Sequence, residues 1–129
     1  MAKALKDRLF KIKPVTHIEK VKGTGEFEGI ELGVKVMTAG AREDYESSMF
    51  TLEEKPDGGI KAVPVRKDSK LKLIIYTVCD PETGELIFNE GDLPQLREYS
   101  GLAIQGLFDA ASKANDLGRA EKEDAGTKN

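Results

Sequence analysis

Apolar positions along this chain fall into short runs whose spacing predicts where strands and helices lie. β-Compatible residues fill Val15 to Val21, Gly23-Thr24-Gly25 offers a turn, and Glu26 to Val36 supplies the returning strand of a hairpin. In that strand Ile30, Leu32, Val34 and Val36 alternate with Glu31, Gly33 and Lys35, which predicts one core face and one polar face. Phe27 is out of phase, and a bulge at Gly29 is expected to return it to the core side. Thr38 is the expected N-cap of a short helix on which Ala41, Tyr45, Ser48 and Met49 share a face. Lys55-Pro56-Asp57-Gly58-Gly59 signals a turn between Phe50-Thr51-Leu52 and Ile60 to Val65, a second hairpin that Pro64 restricts to a sheet edge.

The continuous apolar run Leu71 to Val78 reads as the strand buried deepest in the sheet. After it, Asp80-Pro81 and Gly84 carry the chemistry of a tight turn into a short strand, Leu86-Ile87-Phe88. Asp92 with Gln95 fits a capping box for a short helix bearing Leu93, Leu96 and Tyr99. Ser100 recaps the chain for a longer helix, about Leu102 to Leu117, with Ile104, Leu107, Phe108, Ala111, Ala114 and Asn115 at helical spacing and Gly118 as its stop. Ile75 and Phe108 are both expected to be buried. The pattern predicts an α+β domain over residues 1–118, a small antiparallel or mixed sheet with the C-terminal amphipathic helix packed on it and a short helix after the first hairpin. Residues 119–129 have no apolar side chain beyond alanine and read as a flexible polar tail.

Composition adds limits rather than a function. A chain of 129 residues, 33% charged and 39% hydrophobic, has the make-up of one globular domain, and the absence of Trp makes its core aliphatic. The formal charge of −3 is too mild to point to nucleic acid. Its distribution is uneven: Lys3, Lys6, Arg8, Lys11, Lys13, Lys20 and Lys22 face only Asp7 and Glu19, read as a solvated basic strand edge or, less favoured, an anion-binding stripe. The single cysteine, Cys79, has no disulfide partner and follows an apolar run, so it is expected to be buried. No stretch resembles a signal peptide or the ~20 apolar residues of a membrane span, so the protein is expected to stay in the cytoplasm where it is made.

Motifs for chemistry fail on spacing. His17 has no Cys, Asp or Glu at metal-ligand spacing, and Gly23-Thr24-Gly25 has Glu28 where a dinucleotide loop needs its last glycine. Asp80 and Glu82 start like a calcium loop but lack its glycine and closing glutamate. Only a spatial approach of His17 to Cys79 would make a nucleophile. No cofactor, metal or catalytic centre is therefore expected. The stripe Leu102, Ile104, Leu107 and Phe108 packs on the chain's own sheet or, in part, presents Leu102, Leu107 and Phe108 to a partner.

Several elements, taken in order, resemble the tail assembly chaperones of long-tailed bacteriophages. In that family a strand runs into a Thr-Ala helix start followed by an Arg, an acid and an aromatic, as do Val36, Thr38, Ala39, Arg42, Asp44 and Tyr45. An aliphatic strand, an Asp-x-x-Gly turn and Leu-Phe before an acidic helix cap follow in the family, and Leu73 to Val78, Asp80 with Gly84, Leu86-Ile87-Phe88, Asn89 and Asp92 resemble them. The last helix is similar in Leu107-Phe108-Asp109-Ala110-Ala111 with Asn115, so the resemblance spans Val36 to Gly118. The turn is one residue longer than usual, and Lys67-Asp68-Ser69-Lys70 replaces an Arg-rich approach. The resemblance implies a non-catalytic late protein of the host cytoplasm that binds the tape measure protein in many copies. It also implies recruitment of tail tube subunits, self-association, absence from the mature virion, and a longer form made by translational frameshifting in some members. A structural tail component is the alternative; a small enzyme or a nucleic-acid binder comes after it.

Overall fold

The computed structural model describes residues 1–117, and its first element is a helix, α1 (Ala2–Phe10). This corrects the basic strand edge for Lys3, Lys6 and Arg8, while Lys20 and Lys22 do lie on an edge strand: Leu5, Leu9 and Ile12 recur at helical spacing with cations between them, and no residue of α1 is buried. The first hairpin follows as expected but trimmed. Strands β1 (Ile18–Lys22) and β2 (Glu31–Lys35) pair antiparallel from Ile18 opposite Lys35 to Lys22 opposite Glu31. Between them Gly25–Phe27 winds into one 3-10 turn. That turn, rather than a bulge at Gly29, carries Phe27 to the core, where its ring centroid lies 4.8 Å from Tyr99. Of the alternating four, Leu32 and Val34 face the core. Ile30 and Val36 flank the strand's two ends and stay exposed.

Thr38 caps α2 (Ala39–Ser48), its Oγ1 accepting from the Ala41 amide at 3.1 Å. The second hairpin is present, β3 (Phe50–Glu54) against β4 (Ile60–Pro64), but it forms a separate two-stranded sheet. The amide of Val65 donates to the Met49 carbonyl at 2.7 Å, tying the hairpin's base to the end of α2.

The largest correction concerns the apolar run after Lys70. It is a helix, α3 (Ser69–Thr77), and only Val78–Cys79 continues as a strand, β5. A continuous apolar run is ambiguous because a helix buried on most sides and a central strand place the same demand on composition. Here α3 packs against α5 (Gly101–Ala114), α2 and β2, so Leu71, Leu73, Ile74, Ile75 and Thr77 are buried nearly all round it. Ser69, Lys72 and Tyr76, spaced three and four apart, mark its less buried side.

Strand β5 pairs antiparallel with β2, which completes a three-stranded sheet in the order β1-β2-β5. The strand expected at Leu86-Ile87-Phe88 shrinks to one bridge between Cys79 and Leu86. The capping box also moves one turn earlier. Asn89 and Asp92 cap each other across the 3-10 turn Glu90–Asp92, and α4 (Leu93–Leu96) follows without a side-chain cap of its own. Ser100 does cap α5, accepting from the Ala103 amide at 3.2 Å.

The fold is therefore α+β, with α3 and α5 packed beside a small antiparallel sheet. Val34, Leu73, Ile74, Val78, Leu96 and Leu107 form the centre of the core, each at most 1% exposed. Ile75 is buried as expected, whereas Phe108 is only partly covered at the rim. The expected helix stop at Gly118 and the polar tail over residues 119–129 lie outside the described residues.

Candidate interaction surface

Residues drawn from distant parts of the sequence meet at the C-terminal end of α5. Asn115 is buried there, and its Oδ1 accepts from the Met37 amide at 2.8 Å. Its Nδ2 donates to the carbonyls of Lys35 at 3.1 Å and Ala111 at 3.0 Å. The Asn115 carbonyl in turn accepts from Arg42 Nη1 at 3.0 Å, while Arg42 Nε pairs with Glu46 one helical turn on. This arrangement clamps the β2-to-α2 connection to α5 with every polar atom of the amide side chain satisfied. Thr38, Arg42 and Asn115 are thereby gathered at one junction. Tyr45 lies on the same helix and packs edge-on against Tyr76, centroids 5.9 Å apart.

A second junction lies at the turn after β5. Asp80 Oδ1 accepts from the amides of Glu82 at 2.7 Å and Thr83 at 3.1 Å, and the Asp80 carbonyl accepts from the Gly84 amide at 2.8 Å. Gly84 has φ +76°, which a side chain would strain, and Lys35 Nζ donates to its carbonyl at 3.1 Å. These bonds close an acidic turn against the sheet and leave no ring of carboxylates facing one point. Phe88 is partly buried against the core. Among the described residues no three His, Cys, Asp or Glu side chains group as a metal site.

The residues expected to meet a partner separate on folding. Leu107 is 1% exposed, part of the core, and so is removed from any contact surface. Leu102 is 74% exposed at the start of α5, where Thr24 Oγ1 donates to its carbonyl at 2.8 Å. Phe108 is partly buried against the core, and Lys70 Nζ sits 5.4 Å from its ring centroid and donates to Gln105 Oε1 at 2.6 Å.

Close to Lys70 an open groove of about 360 Å³ is lined by Arg66, Asp68, Lys70, Arg97, Tyr99 and Ile104 among others. Asp68, at φ +61°, leaves the first turn of α3 without a side-chain cap and pairs instead with Arg97 at 3.4 Å. The groove is basic at its rim, and one of its cations is already answered by Asp68. Cys79 and His17 differ in their surroundings. The thiol is fully buried and burial pushes its pKa up, the reverse of activation, while His17 is exposed.

Two apolar surfaces escaped the sequence reading. Leu5, Leu9, Phe10 and Ile12 are more than half exposed on and just after α1. On the second hairpin Phe50, Leu52 and Ile60 are 52%, 73% and 68% exposed. The i, i+4, i+7 spacing of Leu5, Leu9 and Ile12 was the available signal for the first, and the alternation of Phe50 with Leu52 for the second. Among the described residues no helix is long and apolar enough to cross a membrane. No protein-family model, curated protein or solved structure matches the chain.

Proposed function

We propose that this protein is a tail assembly chaperone of long-tailed bacteriophages that works in the host cytoplasm. It binds the tape measure protein, keeps that long helical client soluble, helps recruit tail tube subunits and is left out of the finished virion. The observation that carries this reading is the ordered set of motif elements, whose residues are structural partners: Arg42 bonds the Asn115 carbonyl, and Thr38 caps the helix that bears Arg42. The first and last of these elements thus support one another at a single junction, while the middle one, Leu73 to Val78, is largely the helix α3 where the family has a strand. Among their exposed side chains α1, β3 and β4 include the apolar Leu5, Leu9, Phe50, Leu52 and Ile60, the chemistry a chaperone needs to shield an aggregation-prone helix through many weak contacts.

Co-expression with the tape measure protein of the same phage is expected to raise the client's soluble fraction, and deletion of the gene is expected to give capsids without tails. Mass spectrometry of purified virions decides between this reading and a structural tail component, which the unpartnered hairpin would also suit. Absence from virions supports the chaperone; stoichiometric presence replaces it with the tail subunit.

A further inference from the structure

The two elements that stand apart from the core have complementary needs. Helix α1 is nine residues long, buries nothing and exposes Leu5 and Leu9, with Ile12 continuing the stripe. A helix this short is marginal in water without an apolar surface to cover its stripe. The β3–β4 hairpin needs the opposite. Its register sets Phe50 opposite Pro64, Leu52 opposite Ala62 and Glu54 opposite Ile60, and strand alternation puts these on one face. An isolated hairpin requires a further strand or a packed helix on its apolar face to be stable.

Charge points the same way. The first thirteen residues hold Lys3, Lys6, Arg8, Lys11 and Lys13 against Asp7 alone. The arm formed by α2 and the hairpin carries Glu43, Asp44, Glu46, Glu53, Glu54 and Asp57 against Arg42, Lys55 and Lys61. We infer that α1 of one copy lies across the Phe50, Leu52, Ile60 and Ala62 face of the hairpin in a second copy of this chain. The helix supplies the layer that the hairpin lacks, and its lysines meet the acidic arm. Because the two faces differ, one contact joins the helix of one copy to the hairpin of another, and each copy has one face of each kind to offer. This contact stands or falls independently of the proposed chaperone role, since it concerns the chain's association with itself.

The test uses the full chain and two variants at exposed positions, Leu5→Asp with Leu9→Asp on the helix and Leu52→Asp with Ile60→Asp on the hairpin. Sedimentation of the wild type is expected to give at least twice the 14.1 kDa of one chain, with association weakening as salt is raised. Each variant alone is expected to sediment as a monomer with an unchanged circular dichroism spectrum of the core. An equimolar mixture of the two variants is then expected to restore a one-to-one complex, since one still has the helix and the other still has the hairpin. A wild type that is monomeric at every soluble concentration overturns the inference. So does continued association of either variant alone, or a mixture of folded variants that stays monomeric.

Discussion

Asn115 shows what a single side chain contributes when all of its polar atoms are used. Replacing it with Ala strands the Met37 amide and the Lys35 carbonyl in a buried junction, a loss of about 2–3 kcal/mol when partners are left unsatisfied. Arg42→Ala removes a partly exposed bond and is expected to cost about 1 kcal/mol. Urea midpoints of both variants check the ranking, and equal effects would deny the amide its central place. Cys79 and two tyrosines contribute to alkaline behaviour. Burial raises the pKa of the Cys79 thiol, opposed by Lys35, and desolvation likewise raises the phenols of Tyr45 and Tyr76. With the folded values raised, the unfolded chain loses these protons first. The stability they support is full below the ordinary thiol value and is lost as pH rises through the raised folded values. Unfolding midpoints followed into the alkaline range are expected to fall less steeply in Cys79→Ala than in the wild type, and parallel curves would rule out a desolvated thiol.

Among the elements, α3 is the one on which the core depends most. Leu73→Ala is expected to cost about 3–4 kcal/mol, because the side chain is fully enclosed and its neighbours come from separate elements that cannot all collapse inward. Phe108→Ala is expected to cost about 1–2 kcal/mol, less than full burial would give, since its ring lies at the rim beneath Lys70. Thermal or urea unfolding of the pair measures the difference, and a Phe108 effect as large as that of Leu73 would put this side of α5 inside the core. Caps behaved more predictably than strands. Thr38 and Ser100 were readable because a hydroxyl bonding an amide three residues on is a local event. The helical state of α3 was not readable in the same way, because its neighbours on several sides come from α2, α5 and β2, far off in sequence.

For the whole molecule, α1 contributes no buried side chain to the core. Removing residues 1–12 deletes no buried side chain, so the unfolding midpoint at low protein concentration is expected to match that of the intact chain. A large drop would show that α1 supports the core. By itself the sequence determined the features closed within a few residues: the caps at Thr38 and Ser100, the turn from Asp80 to Gly84, the two hairpins and the α+β class. Hydrogen bonds and backbone sterics of neighbouring residues settle these whatever lies farther away. Tertiary structure alone decided that the apolar run after Lys70 is a helix, that Leu107 is interior while Leu102 is outside, and that Arg42 meets Asn115. Those outcomes depend on which surfaces from distant parts of the chain meet, 73 residues apart for Arg42 and Asn115, and burial acts on apolar area without regard to order in the chain.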